Sequence, residues 1–328
     1  MNFKKIALLL LLLLIINGCK EKIEIRDFTF KGPVFGTSYK ITYLNATKNY
    51  KKSIDSLFLA VNNSLSTYIP SSDISRINKG DKSIKIDDLF TEVFLKSKRI
   101  YKETDGFFDP TVGNLVNAYG FGPKDEMRNL SDAEVFDYMQ FVGLNKVDLQ
   151  NGFIIKTHPN IFLDFNSIAK GFGIDVIARF FDKKNIDSYL IEIGGEIRAK
   201  GRKKNNQPWV IKLVDPVDVN TGYKVINLSD KSMATSGNYR KFRVAEDGTK
   251  FVHTVNPKTG FARESNLLSA SVISKKDCAD VDAYATAFMA MGFEKTKSFI
   301  NKNKDLKVIL IYIDANDNLK EYTNYTYN

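Results

Sequence analysis

The sequence contains little cysteine and little histidine, with two residues of each among 328. Cys19 falls in an N-terminal segment with the features of an export signal, which leaves Cys278 without a partner for an internal disulfide. We therefore expect the stability of the fold to come from its core. Cys278 begins a predicted helix, and we interpret it as a partly buried structural residue; a metal-binding or nucleophilic thiol is the alternative.

Two common phosphate-binding motifs are also absent. Neither GxxxxGK[ST] nor GxGxxG occurs in the sequence, so any nucleotide site must have another design. No internal repeat is present, and no low-complexity segment follows residue 20. With 43% hydrophobic and 26% charged residues, the composition is that of a folded protein with one large domain or two ordinary ones.

The formal net charge of +10 would, on its own, suggest a nucleic-acid or anionic-membrane partner. The lysines, however, are scattered singly and in pairs, and the densest cluster is KGRKK at residues 200–204. Such a cluster is typical of a solvated hairpin tip. We expect no nucleic-acid partner, whereas a phosphate-bearing small ligand needs far fewer cations.

The N-terminus has the layout of a secretory signal. Lys4 and Lys5 precede an apolar run from Ile6 to Ile16, and Gly18 lies just before Cys19. The run is too short to span a bilayer as a helix. The segment resembles a bacterial lipoprotein signal, in which the cysteine is lipidated; an ordinary signal peptide with a chance cysteine is the alternative.

These features predict a lipoprotein signal peptide over residues 1–18, a tether over residues 19–31 and one folded domain over residues 32–328. A lipid on Cys19 would make the membrane a partner of the chain. It would also place the domain in the cell envelope, on the periplasmic side of a membrane facing outside the cytoplasm.

Hydrophobic periodicity predicts an α+β fold, in which a largely antiparallel sheet core is packed against helices. Apolar residues recur at helical spacing from Lys51 to Leu65, and Ser131 and Glu134 have capping-box spacing. PVFGTSYKITYL alternates as a first strand entered through Gly36. Further helices are predicted over residues 88–104, 168–183 and 279–291, and strands within residues 188–201, 209–216, 241–255, 267–274 and 306–318.

The segment ADVDAYATAFMAMG carries a candidate metal site. Asp282 and Thr286 lie one helical turn apart and project from the same face. A carboxylate and a hydroxyl are the hard oxygen ligands that suit Mg²⁺, which keeps several waters and binds substrate phosphates. The alternative is structural, with an acidic residue offsetting the helix dipole and a threonine bonded back to its own helix.

The segment LDFNSIAKGFGID has the pattern of a strand end that turns into a helix. Asp164, Asn166 and Ser167 precede the first turn, where unpaired backbone N–H groups attract anions, and Lys170 adds a positive charge. A plain helix cap with a surface lysine is the alternative.

The segment TDGFFDPTVGNLVNAYGFGP combines four glycines and two prolines with aromatic residues. A flat ring bound between backbone and aromatic faces needs such close approach, although a rigid packed loop has the same composition. Tyr68, Tyr119 and Phe121 are the stacking candidates, and ordinary core positions are the alternative for each.

Taken together and in this order, the motifs resemble the ApbE family of FAD:protein FMN transferases. The resemblance runs from about Phe35 to Gly292. It rests on GTSY, STYIPSSDISRIN, GFFDPTVGNLVNAYGFGP, LDFNSIAKGFGID, IGGEIRAKG, ATSGNYRKF, HTVNPKTG and DAYATAFMAMG. It implies an ApbE-like, T-fold-like architecture, FAD as substrate and Mg²⁺ as cofactor, with FMN transferred to a Thr or Ser hydroxyl of an apo-flavoprotein and AMP released.

The resemblance also implies roles for particular residues. His253 and Asp282 would be catalytic, and Ser167, Asp282 and Thr286 would bind the metal. The expected flavin contacts are Phe35, Tyr68, Tyr119, Gly120, Phe121, Asp164, Lys170 and Thr254.

Three residues depart from the family pattern. They bear on the number of metal ions that the site binds, and not on the resemblance to the family. Asn166 replaces the Ser or Gly of many relatives, Asn256 replaces a common Asp, and Ala285 stands where some relatives have a further carboxylate.

The two histidines are assigned different roles. His253 precedes a turn set by Pro257 and Gly260, and the resemblance implies that it faces the FAD phosphates, where an imidazole can exchange a proton near neutral pH. A structural histidine that caps the turn is the alternative. His158, in the loop sequence KTHPN, is interpreted as nonfunctional.

Two other functions would use the same cavity. One is FAD hydrolysis to FMN and AMP, and the other is storage or delivery of FAD by a non-catalytic lipoprotein. The acceptors suggested by the family are subunits of membrane redox complexes.

Overall fold

The computed structural model describes residues 24–123, 127–214, 222–238, 242–244, 250–263 and 265–327. Within these ranges there are eight α-helices and fourteen strands. No helix among them is both long enough and apolar enough to cross a membrane.

Five of the helices follow one another between the second and third strands, and the helices predicted over residues 51–65, 88–104, 168–183 and 279–291 are present with nearly the same boundaries. The helices are α1 Lys51–Leu65, α2 Asp73–Asn78, α3 Asp88–Glu103, α4 Gly113–Ala118, α5 Asp132–Met139, α6 Ala169–Lys183, α7 Cys278–Met291 and α8 Phe293–Lys302. The strands are β1 Arg26–Val34, β2 Thr37–Ala46, β3 Val147–Gln150, β4 Phe153–Lys156, β5 Tyr189–Ile193, β6 Glu196–Lys200, β7 Trp209–Val214, β8 Gly222–Leu228, β9 Lys231–Gly237, β10 Phe242–Val244, β11 Lys250–Val252, β12 Leu267–Ser274, β13 Lys307–Ile313 and β14 Leu319–Thr323.

One eight-stranded sheet organises the molecule. Its order is β1-β2-β5-β6-β9-β12-β13-β14, and every neighbouring pair is antiparallel. Side chains from α1, α3, α6 and α7 form the main core with one face of this sheet. The β7–β8 ribbon covers the other face, where Trp209, Ile211 and Ile226 pack with Ile197 and Ile309. The predicted α+β class with a largely antiparallel sheet is confirmed.

The N-terminal edge of the sheet differs from the prediction. Residues 26–31, predicted as tether, belong to β1, where Phe28 and Phe30 lie with their rings 5.1 and 6.1 Å from that of Tyr43. PVFGTSYKITYL is not one strand, because Phe35 and Gly36 form a two-residue turn with φ of 48° and 71°. An edge strand leaves many side chains exposed, which explains why its composition is that of a tether.

Helix α7 runs through the interior, and twelve of its fourteen residues are buried. The helix can approach α6 closely because Gly171 has no side chain; a Cβ there would lie 2.4 Å from the carbonyl oxygen of Cys278. Cys278 is fully buried rather than partly buried as predicted. The helix that bears Asp282 and Thr286 is therefore enclosed on several sides.

Candidate functional site

A cavity of about 1130 Å³ lies beside the sheet. It is lined by residues from the β1–β2 turn, the segment before α6, the segment after β11, and helix α7. Ten residues with predicted roles line it: Phe35, Tyr68, Phe121, Asp164, Ser167, Lys170, His253, Thr254, Asp282 and Thr286. Segments far apart in the sequence thus meet at one site.

Asp282 forms the most buried part of the candidate metal site, with 2% of its surface exposed. Its Oδ2 accepts a hydrogen bond from the backbone N–H of Gly171 at 3.1 Å, in the first turn of α6. Lys170 Nζ lies 4.0 Å from the same oxygen. Burial raises the pKa of the Asp282 carboxyl, while Lys170 and the Gly171 N–H act in the opposite direction.

Thr286 and Ser167 supply hydroxyl groups near this carboxylate. Thr286 lies one turn beyond Asp282 on α7, with its hydroxyl 3.3 Å from that of Ser236 on β9. Ser167 lies two residues before the start of α6 and lines the same cavity. The fold therefore brings all three predicted metal ligands to one cavity.

The available donors fit Mg²⁺. In the described part of the chain, no group of three or more His, Cys, Asp and Glu side chains could hold a metal, so a cation here would rest on few protein ligands. One carboxylate with hydroxyl oxygens matches an ion that keeps several waters and takes phosphate oxygens as further ligands.

Lys170 is a cation close to Asp282, and two carboxyl groups share it. Its Nζ lies 3.4 Å from Oε1 of Glu196, closer than it lies to Asp282. Burial alone would lower the pKa of Lys170, but the Asp282 and Glu196 carboxylates raise it above its usual value. The Lys170 side chain therefore stays protonated and positively charged in the cavity.

Asp175 fixes the start of helix α7. Its two carboxylate oxygens accept the backbone N–H groups of Cys278 and Ala279, both at 2.8 Å, and Arg198 lies 3.4 Å away. Burial raises the pKa of Asp175 to about 7, with Asp277 adding to the rise and these hydrogen bonds opposing it. The carboxylate satisfies donors that would otherwise be unpaired at a buried helix end.

Asp164 is held in a local turn at the wall of the cavity. Its Oδ1 accepts the backbone N–H of Asn166 at 2.8 Å, and its own N–H donates to the Pro110 carbonyl at 2.7 Å. Asn166 reaches Thr67, with Nδ2 3.3 Å from Oγ1. Burial raises the pKa of the Asp164 carboxyl.

The predicted aromatic residues divide into two groups. Tyr68 is 53% exposed, and its hydroxyl donates to the Phe121 carbonyl at 3.3 Å; both residues line the cavity. Tyr119 instead lies in the core, 1% exposed, with its hydroxyl 3.2 Å from the Gly260 carbonyl. Gly120 has a φ of 76° and forms the turn after it. Neither Tyr119 nor Gly120 is among the described lining residues, contrary to the prediction.

His253 follows β11 directly and lines the cavity, with its ring 6.4 Å from that of Phe121. Thr254 donates from its hydroxyl to Asn238 Oδ1 at 3.1 Å. The other histidine, His158, is exposed in a loop, where Nδ1 accepts the N–H of Asn160 at 3.1 Å. His158 is not among the cavity-lining residues that the structure describes.

The turn after His253 is tied to helix α7 through Asn256. Its backbone carbonyl accepts the Gly260 N–H at 2.8 Å, and its Nδ2 donates to the Ala290 carbonyl at 3.3 Å. An aspartate at this position would lack this donor. Asn256 thus links the turn that bears the imidazole to the helix that bears the carboxylate.

Sequence reasoning assigned no role to Glu196 or Asp175. Glu196 is an acidic residue in the otherwise apolar strand region SYLIEIGGEI, and Asp175 lies within the apolar helix GFGIDVIA. A charge inside a predicted buried element is the signal that would have indicated both residues.

The fold and the site together define an α+β protein whose large cavity combines aromatic rings with a cluster of oxygen ligands. The ApbE family model matches residues 35–310. The chain therefore belongs to the ApbE family, as the motifs implied.

Curated relatives and solved structures agree with this assignment. The chain is 33% identical over 319 residues to the FAD:protein FMN transferase of Vibrio cholerae, covering 94% of both chains, and 33% identical over 306 residues to that of Haemophilus influenzae, covering 88% and 87%. The solved structure of the flavin transferase ApbE from Vibrio cholerae superposes with a TM-score of 0.81 at 32% identity, over 92% of this chain and 97% of that one. The flavinyl transferase ApbE of Pseudomonas stutzeri gives 0.81 at 26% identity, over 92% and 96%.

Proposed function

We propose that the chain transfers FMN from FAD to a threonine or serine hydroxyl of a target flavoprotein, in a Mg²⁺-dependent reaction that releases AMP. One observation carries the proposal: Asp282, Thr286, Lys170 and His253 line the same cavity as Phe35, Tyr68 and Phe121. A flavin dinucleotide requires a site that combines aromatic side chains for its ring system with charged and polar side chains for its phosphates. The names of the curated relatives support the same activity.

The reaction breaks the phosphoanhydride bond of FAD and forms a phosphoester bond to the acceptor. The acceptor hydroxyl oxygen bonds to the FMN phosphorus, the bond from that phosphorus to the bridging oxygen breaks, and AMP leaves with the electron pair. His253 is the candidate to accept the hydroxyl proton, since its imidazole lines the cavity. Positioning and electrostatics supply most of the barrier lowering in such transfers.

Asp282, Thr286 and Ser167 would hold the metal. When bound, Mg²⁺ neutralises charge that develops on the phosphate oxygens. Lys170 adds a fixed positive charge, which its two carboxylate neighbours keep protonated.

The remaining lining residues would bind the flavin. Phe35, Tyr68 and Phe121 supply ring faces, and Asp164 and Thr254 supply hydrogen-bonding groups. Tyr119 and Gly120 would act indirectly, because the packing of Tyr119 under Gly260 and the turn at Gly120 shape the wall that carries Phe121.

The acceptors would be apo-flavoprotein subunits, including those of membrane redox complexes. We further propose that Cys19 is lipidated and holds the domain on the periplasmic side of a membrane. The spacing of Lys4, Lys5, the apolar run and Cys19 supports this location.

The test mixes the protein with FAD, Mg²⁺ and a peptide that carries an Asp, a Ser/Thr-Gly-Ala-like core and an acceptor Thr. We expect a fluorescent peptide on a denaturing gel, and its loss in Asp282→Ala. Asp277→Ala is the matched control, because it removes a carboxylate from the start of the same helix and lies outside the described cavity lining. Full Mg²⁺-dependent labelling by Asp282→Ala would refute the metal assignment.

The same experiment separates the two alternative functions. Free FMN and AMP without a labelled peptide would indicate an FAD hydrolase. FAD that stays bound and intact would indicate a storage or delivery protein.

A further inference from the structure

Glu196 is a buried carboxyl group at the floor of the cavity. It is the first residue of β6, directly after the Gly194–Gly195 turn, and 4% of its surface is exposed. Oε1 lies 3.4 Å from Lys170 Nζ, whereas Oε2 has no hydrogen-bond partner among the described residues. A buried carboxylate oxygen without a partner is costly, so a structural role alone explains Glu196 poorly.

Glu196, Lys170 and Asp282 form a group in which two acids share one ammonium. The Lys170 nitrogen lies 3.4 Å from Glu196 and 4.0 Å from Asp282. Asp282 accepts the backbone N–H of Gly171 with Oδ2, the oxygen that faces Lys170. When both acids are ionised, the three side chains carry two negative charges and one positive charge. A divalent cation at Asp282 would balance the excess negative charge.

The position of Lys170 determines whether Asp282 can accept that cation. If the Lys170 ammonium were in direct contact with the Asp282 carboxylate, it would neutralise the negative charge that attracts the metal ion. Glu196 is the nearer acid, and the only other carboxylate within 4.0 Å of Lys170 among the described residues is Asp282. Removing the Glu196 charge would leave Lys170 to pair with Asp282.

We propose that Glu196 is a positioning residue that holds the Lys170 ammonium away from Asp282, which leaves the Asp282 carboxylate available to a divalent cation. The inference deepens the proposed function, because it assumes that Asp282 binds the metal of the transfer reaction. In the metal-bound protein, Glu196 also remains as the partner of Lys170 and directs its ammonium toward the phosphate groups. Glu196 would thus act through Lys170 and touch neither the metal nor the flavin.

The test measures divalent-cation affinity rather than activity alone. Mn²⁺ serves as the probe, and free Mn²⁺ is followed by electron paramagnetic resonance during titration of the full protein without FAD. We expect Glu196→Gln, which keeps the size of the side chain, to weaken Mn²⁺ binding about tenfold, the effect of losing one partly buried charge-assisted pair.

Two further variants test whether the effect of Glu196 depends on Lys170 and whether it is specific to this carboxylate. In a Lys170→Met background, Glu196→Gln should change the Mn²⁺ affinity less than about twofold, because the ammonium that Glu196 restrains is absent. Glu192→Gln is the matched control. It removes the same charge from the same hairpin, where Glu192 accepts the Gly195 N–H at 2.8 Å, and it should also leave the affinity within about twofold.

Other outcomes would overturn the proposal. An equal loss of affinity with and without Lys170 would make Glu196 a direct metal ligand, and an unchanged affinity in Glu196→Gln would make it structural. Thermal unfolding of each variant checks that the fold is retained. A wild-type protein that binds Mn²⁺ but labels no acceptor would contradict the proposed transferase function and leave the coupling between Glu196 and Lys170 measurable.

Discussion

At the scale of single residues, His253 occupies a position that the fold builds from three distant segments. It follows β11, lies beside the ring of Phe121 and precedes a turn that Asn256 ties to α7. Its imidazole lines the cavity, where it could exchange a proton with a bound ligand.

His253→Ala should lower the turnover number more than the affinity for FAD. Loss of a positioned acid–base group typically costs about 10²- to 10⁴-fold in rate, whereas the aromatic walls that would bind the flavin remain. The measurements are steady-state transfer kinetics and FAD titration by fluorescence, with His158→Ala as the control. An unchanged rate would return His253 to a structural role at the turn.

The ion pairs of Asp277 should contribute to the stability of the protein in a way that depends on acid pH. Asp277 at the start of α7 lies 2.7 Å from Lys96 and 3.5 Å from Arg198. Burial would raise the pKa of Asp277, but the hydrogen bond and charge of Lys96, with Arg198 adding, lower it below its usual value of 3.8.

The folded protein should therefore lose stability in acid through this group. Because the folded-state pKa of Asp277 lies below that of the unfolded chain, its contribution is present above about pH 4 and disappears as the pH falls further. The free energy of unfolding in urea should decline less steeply below about pH 4 in Asp277→Asn than in the wild type. Parallel pH profiles for the two proteins would contradict this assignment.

At the scale of secondary-structure elements, the contact between α6 and α7 sets the geometry of the candidate metal site. Gly171 permits close approach, its N–H binds Asp282, and Asp175 caps α7 one turn further along α6. Two helices that are about a hundred residues apart in the sequence thus orient one another. Asp282 and Thr286, the candidate metal ligands on α7, are therefore positioned by this contact.

Asp175→Ala should destabilise the protein by about 2 kcal/mol, since it removes a helix cap and leaves two buried N–H groups unpaired. Asp175→Asn keeps one acceptor oxygen and should cost less. Urea unfolding measures both effects. Asp182→Asn, on the more exposed end of the same helix, should change stability little because exposed ion pairs contribute little. Equal midpoints for Asp175→Ala and Asp182→Asn would show that the cap is unimportant.

Elements with strong local signals were predictable from the sequence. Helix α1 has the predicted boundaries because its apolar face repeats at helical spacing, and β12 matches because apolar residues and small serines form a central strand that is almost entirely buried. The capping box at Ser131 and Glu134 is present at the start of α5. The sequence reading left β8, β9 and α8 unassigned; β9 owes its place in the sheet to β6 and β12, neither of which is adjacent to it in the chain.

The candidate site was predictable where its residues stand in motifs, and not where long-range packing creates the role. Asp282, Thr286 and His253 meet in the cavity as predicted. Tyr119 has the same local sequence signal as Phe121 yet is buried, because the chain bends at Gly120 between them. Glu196 gains its relation to Lys170 only through the pairing of β6 in the sheet, which no local pattern encodes.

At the scale of the whole molecule, the sheet begins close to the proposed anchor. β1 starts at Arg26, seven residues after Cys19, a distance that an extended chain spans in at most about 25 Å. A lipid on Cys19 would therefore hold the edge of the domain near the bilayer surface. Acceptor proteins embedded in the same membrane would then contact the cavity close to the bilayer surface.

Cys19→Ser should move the protein from the membrane fraction to the soluble periplasmic fraction. The fold should not change, because its first strand begins after this residue. Fractionation with detergent extraction measures the distribution, and labelling with a radioactive fatty acid tests the modification directly. A variant that stays with the membrane and keeps its label would contradict the anchor assignment.

The buried position of Cys278 has a practical consequence. Its side chain is fully enclosed, and burial raises its thiol pKa well above the usual value, so alkylating reagents should not reach a reactive thiolate in the native protein. A chain that starts at Glu24 retains this cysteine alone. A fluorophore coupled to Leu59→Cys, at an exposed position on α1 outside the described cavity lining, would then be the sole dye on the molecule and would leave the proposed flavin contacts intact.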